Sequence, residues 1–246
     1  MFHSAVYHIK TYFLVGLVSI LFTSPSFAAQ KSALPKRIQA HYVITKDGEE
    51  IAKVHEQYVV TGNQYKIEST TKGIGIYALM GVRKLTSTGK VTNQGLQPAH
   101  FELRQSTSAK KTLIADFDWA SNTLTMLVKG ETRTAKLSAG TQDLASFTYQ
   151  FMFLPRPPNE KIAVSLTTGK KLNVYEYQNN EPLGKLKVGG KEYQTVHLVP
   201  SNQEQGQVET KELWLAANQQ YLLVRLLMID ENGEKLEQTL TELHVE

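Results

Sequence analysis

From Arg37 onward, apolar residues recur at every second position in short runs separated by turn residues. In Arg37–Lys46, Ile38, Ala40, Tyr42 and Ile44 share one face, while Arg37, Gln39, His41 and Thr45 share the other. In Lys111–Trp119, Leu113, Ala115, Phe117 and Trp119 face one way; Asp116 and Asp118 face the opposite way. Tyr65 and Ile67 alternate with polar partners in Gln64–Thr71. Strand side chains point to alternate faces, so a period of two predicts half-buried strands. Turn signals punctuate the runs at Asp47-Gly48, Gly62-Asn63, Thr88-Gly89, Ser121-Asn122, Lys129-Gly130, Thr168-Gly169, Gly189-Gly190 and Asn232-Gly233. That rhythm predicts an antiparallel meander of about a dozen strands.

Three segments depart from it. Tyr221–Ile229 is apolar on both faces apart from Arg225, as expected of a strand covered on both sides. Asp143–Leu154, stopped by Pro155, has Leu144, Phe147, Phe151 and Leu154 at helical spacing, with Asp143 as its N-cap. Tyr149, Met152 and Phe153 make its other side apolar too, which predicts a buried helix. Gly73–Gly81 is an apolar stretch bracketed by Gly73, Gly75 and Gly81, suited to a short helix or a flap. The fold expected is mainly β: a large antiparallel curved sheet, or incomplete β-barrel, wrapping one buried helix. Residues 29–246 read as a single β-rich domain.

The first residues have a different character. Lys10 precedes an apolar run from Tyr12 to Phe22, followed by Thr23-Ser24-Pro25-Ser26-Phe27-Ala28 with small residues at Ser26 and Ala28. A basic start, an apolar stretch of about eleven residues and a small-residue site predict a cleaved secretory signal over 1–28. The stretch is too short for a membrane span. The expected address is the periplasm, away from ATP and NADH.

Composition narrows the chemistry. The chain has no cysteine. Thiol nucleophiles, thiolate metal sites and a lipidated cysteine are therefore excluded, and stability must come from the core. The net charge of +4 is spread over isolated pairs such as Arg83-Lys84, Lys110-Lys111 and Lys170-Lys171. No basic stripe interleaved with aromatics is present, so nucleic acid is not an expected partner.

Candidate sites each have a plain structural reading. No Gly-x-Ser-x-Gly motif occurs, and His197 on a strand is expected to hydrogen-bond within the sheet. Asp116 and Asp118 project from one face about 7 Å apart, a spacing used by glycosidases, but their face is the solvent side. A three-residue loop at Asp47-Gly48 would align Ile38, Ala40 and Tyr42 with Ala52, Val54 and Tyr58, place His41 and His55 on one outer face and turn Glu56 inward. Two imidazoles alone do not make a metal site, and none is expected. Asp143 and Ser146 form an Asp-x-x-Ser pattern that could suggest a site, but capping of the buried helix explains Asp143. Arg225 among apolar neighbours calls for a carboxylate or for an anionic ligand group at a pocket rim.

Several phrases resemble the bacterial exported family known as domain of unknown function 3108. They are Ser87-Thr-Gly89, Gly95-Leu96-Gln97-Pro98 leading to Phe101, Ala115-Asp-Phe-Asp-Trp119, Gln142-Asp143-Leu-Ala-Ser146, Trp214-Leu-Ala216, and Tyr221 before the strand with Arg225. The resemblance spans about Arg37 to Val245. It implies an exported, largely β protein and brings no catalytic residues. The architecture is also similar to that of periplasmic lipoprotein carriers, whose open barrel wraps a helix and holds acyl chains.

The expectation is a non-enzymatic, cofactor-free protein of the cell envelope that binds an apolar or lipid-like ligand in a concave β pocket. The ligand would meet Tyr42, Phe117, Trp119, Phe147, Phe151, Trp214 and Arg225, with Gly73, Gly75 and Gly81 hinging a flap. A structural or protein-interaction module with a filled core is the alternative, an envelope protein then being the partner; a hydrolase is a distant third. Oligomeric state is left open.

Overall fold

Two meanders meet at a seam made by the first and last strands. A computed structural model describes residues 34–105, 112–153, 161–180, 183–201, 210–230 and 232–246; the expected signal 1–28 lies outside them. The first half contains β1 (Arg37–Lys46), β2 (Glu49–Thr61), β3 (Gln64–Gly73), β4 (Val82–Thr92), β5 (Gly95–Gln105), β6 (Leu113–Asp118), β7 (Thr123–Val128) and β8 (Glu131–Lys136). The second contains β9 (Gln142–Asp143), β10 (Ile162–Thr167), β11 (Leu172–Asn179), β12 (Gly184–Val188), β13 (Lys191–Pro200), β14 (Thr210–Ala216), β15 (Leu222–Ile229) and β16 (Lys235–Val245). These 16 strands, more than the turn signals predicted, form one sheet ordered β8-β7-β6-β5-β4-β3-β2-β1-β16-β15-β14-β13-β11-β10-β9, with β12 paired to β13. The sheet is strongly curved and open, not a closed barrel.

The hairpin register is set by turn chemistry. Asp47 and Gly48 both have positive φ, 49° and 92°, the geometry of a two-residue turn that favours Asp-Gly. A three-residue loop was expected; instead a bulge between Ile44 and Thr45 supplies the extra residue on β2. The parity is the same. Ile38 faces Tyr58, Ala40 faces Glu56, Tyr42 faces Val54, and His41 lies directly opposite His55. Thr88-Gly89, expected to turn, instead lies inside β4 at a bulge. A Cβ at Gly89 would collide with the Gln97 carbonyl, so glycine is there for close strand approach.

Apolar alternation buries three adjoining clusters. The first includes Ile38, Tyr58, Ile67, Phe101, Phe117 and Leu124; the second includes Leu166, Tyr177, Leu198, Leu213 and Leu215; the third includes Ala40, Tyr42, Val54, Tyr193 and Leu240. The helical segment divides its side chains between the first two. It comprises α1 (Phe147–Gln150) and a 3₁₀ turn over Phe151–Phe153. Tyr149 and Met152 enter the first cluster, Phe147 and Phe151 the second. The segment is a wedge between the two halves of the sheet.

The helix starts later than Asp143 because Asp143 is taken by β9, which runs parallel to β10; Leu154 and Pro155, expected to end the helix, lie outside the described residues. Ser146 holds the N-cap position. On β15, Leu222, Leu223 and Val224 are all buried, one in each cluster. A register shift opposite Trp214/Leu215 lets Val224 pack with Val188 and Tyr193, so this strand is covered on both faces.

Candidate ligand cavity and its buried polar groups

The wedge does not fill the space it divides. A cavity of about 210 Å³ lies beside Leu144–Thr148. Its wall is largely apolar, with Leu85, Phe147, Leu223, Leu226 and Met228 among the lining residues. Glu56, Arg83, Lys211 and Gln238 are its long polar side chains. Two of these come from plainly inward positions on their strands: Glu56 alternates with Val54 and Tyr58, and Arg83 with Leu85 and Ser87.

Glu56 is held by two donors. Ser69 Oγ donates to one oxygen at 3.1 Å and the Tyr149 hydroxyl to the other at 3.2 Å. Burial still pushes its carboxyl above the usual range, because these bonds offset only part of the desolvation. Tyr149 also stacks on Tyr58 at 5.2 Å, so ring packing and a hydrogen bond together fasten the helix to β2. Lys211 Nζ donates to the Tyr175 hydroxyl at 3.4 Å and lies 4.7 Å from that ring's centre. Arg83 is half-buried, and burial lowers its affinity for its proton.

Beneath the helix lies a second polar centre. Asp143 is fully buried. It accepts from Ser87 Oγ at 2.6 Å and from the backbone N–H groups of Ala145 and Ser146 at 2.9 Å each. Ser87 Oγ is also 3.0 Å from the Tyr65 hydroxyl. Burial outweighs these bonds and moves the carboxyl up to about 6. The N-cap position expected for Asp143 is held by Ser146; Asp143 instead accepts from the turn that enters α1 while itself in a strand, with β4 as a further anchor.

The expected ligand-contacting residues are dispersed. Phe147 lines the cavity. Tyr42 is inward and donates its hydroxyl to the Leu223 carbonyl at 3.2 Å; Phe151 packs in the second cluster. Phe117 stacks on Trp119 at 6.1 Å in or against the first cluster, and Trp119 Nε1 donates to the Pro98 carbonyl at 2.6 Å. Trp214 and Arg225 do not line the cavity. Trp214 comes after the fully buried Leu213 on β14 and projects the other way. It is sandwiched between the His197 ring at 4.0 Å and the Arg225 guanidinium at 4.4 Å. Arg225 also pairs with Glu237 at 2.6 Å. The extra residue at Val224 switches the face of the residues after it, so Leu223, Leu226 and Met228 line the cavity while Arg225 does not.

Other candidates occupy structural settings. Asp116 pairs with His100 at 2.6 Å on the exposed side; Asp118 accepts from the N–H groups of Ala120 and Ser121 in a turn. His197 Nε2 lies 2.8 Å from Glu212, and His41 Nε2 is 3.1 Å from His55 Nδ1. Gly75–Met80 is a 3₁₀ turn. Gly75 and Gly81 have positive φ, and a Cβ at Gly73 would strike the Tyr77 carbonyl, so Gly73 serves close packing where hinge freedom was expected. Ile76, Leu79 and Met80 on this turn are exposed.

Arg83, Lys211 and Gln238 were missed in the sequence. Arg83 stood beside Lys84 and looked like one more surface pair; the clue was its shared parity with Leu85 and Ser87.

A curved, open sheet, antiparallel except where β9 meets β10, with an internal helix and a cavity between them defines the class of this protein. The chain belongs to the family described as Protein of unknown function (DUF3108), which matches residues 37–241. No curated protein matches it in sequence. Among solved structures it is similar to kievitone hydratase from Nectria haematococca, at 11% identity over 88% of this chain and 91% of that one, with a TM-score of 0.23. No helix among the described residues is long and apolar enough to cross a membrane.

Proposed function

We propose that this is a non-enzymatic protein of the periplasm that holds an apolar, lipid-like ligand in the cavity beside α1. The observation that carries the reading is the cavity itself: about 210 Å³ is left open among Leu85, Phe147, Leu223, Leu226 and Met228. Tight packing is the norm in protein interiors, so an open space with a largely apolar wall calls for an occupant. A ligand that is mostly hydrocarbon suits such a wall. The N-terminal signal pattern supports export.

Protein purified from its native envelope and extracted with organic solvent should release a stoichiometric apolar compound by mass spectrometry. Leu226→Trp should fill the cavity from β15 and lower binding of a fluorescent fatty-acid probe by tenfold or more. Extracts free of lipid, together with probe binding that Leu226→Trp leaves intact, would contradict the reading.

A protein-interaction module is the second reading. The exposed Ile76, Leu79 and Met80 on one turn favour it, since clustered exposed apolar side chains mark contact surfaces.

A further inference from the structure

Arg83 is the one cation of the cavity wall that has no partner among the described residues. No carboxylate among them lies within 4.0 Å of it, and no hydrogen bond from it to a described residue is formed. Its neighbour in the next strand is Gln105, with Thr71 on the other side. The cavity's own carboxylate, Glu56, is already engaged through both oxygens by Ser69 and Tyr149. Lys211, the other cation, rests on Tyr175. Arg225, half-buried on β15, by contrast has both Glu237 and the face of Trp214.

A guanidinium taken partly out of water without a counter-charge is costly. Such a group is retained where an anion completes it, and its planar fork suits carboxylate and phosphate. Burial has already lowered Arg83's hold on its proton, consistent with a site that lacks a compensating negative charge. Thr71 and Arg83 face each other across β3 and β4, beside the Gly75–Met80 turn, while Phe147 and Leu223 supply apolar wall.

We propose that Arg83 receives the anionic head group, a carboxylate or phosphate, of an amphiphile whose hydrocarbon part occupies the cavity. The proposal rests on the lipid-binding reading and names the class of ligand that reading leaves open. The positive group is on the wall, so the head group is selected by charge and the tail by burial of apolar surface. Lys211 contributes less, because Tyr175 already holds it.

The test uses four probes of equal chain length: palmitate, hexadecyl phosphate, hexadecanol and hexadecyltrimethylammonium, each kept below its micelle concentration and titrated by displacement of a fluorescent fatty probe. The expected result is that palmitate and hexadecyl phosphate bind at least tenfold tighter than the alcohol or the cation, the scale of one charge-assisted hydrogen bond. In Arg83→Gln that preference should disappear while hexadecanol binding stays, and Arg83→Lys should restore part of it. Lys211→Gln should leave most of the preference in place. Thermal stability supplies the readout that separates ligand binding from a structural role: losing an unpaired, desolvated cation should leave the ligand-free Tm unchanged or raised. Equal binding of all four probes, or a preference that survives Arg83→Gln, would overturn the head-group assignment and leave the apolar cavity standing. Acetate or inorganic phosphate competing as well as palmitate would overturn it in favour of a free-anion site. Failure of all four probes to bind would overturn the lipid reading itself.

Discussion

Asp143 is fully buried, and its carboxyl accepts from Ser87 Oγ and from the N–H groups of Ala145 and Ser146. Its folded-state value near 6 stands above the 3.8 of a free aspartate. Between those two pH values the folded protein binds more protons than the unfolded chain, so stability falls as pH rises from about 4 to about 6 and is level above. A shift of about two units corresponds to roughly 3 kcal/mol. Asp143→Asn keeps acceptors for Ala145 and Ser146 and can donate to Ser87. Its urea midpoint at pH 7 should match or exceed that of the natural protein, and the difference between the two should vanish near pH 4. A variant markedly less stable at pH 7 would show that the negative charge itself is required. Tyr149→Phe makes the opposite case. It leaves buried Glu56 with Ser69 alone, and urea unfolding should register a loss of about 1–3 kcal/mol.

The helix matters as a wedge, and its worth depends on which cluster a side chain enters. Phe151 is 2% exposed in the second cluster. Phe151→Ala should cost about 3–5 kcal/mol by denaturant titration, because the surrounding strands cannot collapse fully into the space. A cost below about 1 kcal/mol would mean that the helix is not a core element. The inward parity of Ile38, Ala40 and Tyr42, the His41–His55 pairing and the inward Glu56 were legible in the sequence, since period-two alternation and an Asp-Gly turn determine them. Bulges were not legible. One at Val224 reversed Arg225, and one on β2 let a two-residue turn reproduce the register of a longer loop. An apolar run such as Leu144–Phe153 shows burial but not length; the β9–β10 pairing that shortens the helix depends on residues distant in sequence. Arg83 was hidden for a related reason: a charged pair at a strand start shows its inward member only when the neighbouring parity is traced through Leu85 and Ser87.

For the molecule as a whole, β1 and β16 form the pairing that joins the two meanders in the strand order. Ile38 pairs with Val245 and Lys46 with Leu236, so the sheet is incomplete until the last residues are in place. Folding that depends on such distant pairing is intrinsically slow. Truncation after Asn232 should abolish the cooperative thermal transition seen by far-ultraviolet circular dichroism, because it uncovers β1 and β15 together; a truncated chain that still melts sharply would show the two halves to be independent. The open curve of the sheet, wedged apart by α1, also leaves the cavity, and on that space the functional proposal stands. Crystals grown with a bromine-terminated long-chain fatty acid would locate the chain by anomalous scattering. A bromine peak between Phe147 and Leu226, with the carboxylate toward Arg83, is the predicted result. Ordered bromine only on the outer surface, with the cavity unchanged, would contradict it.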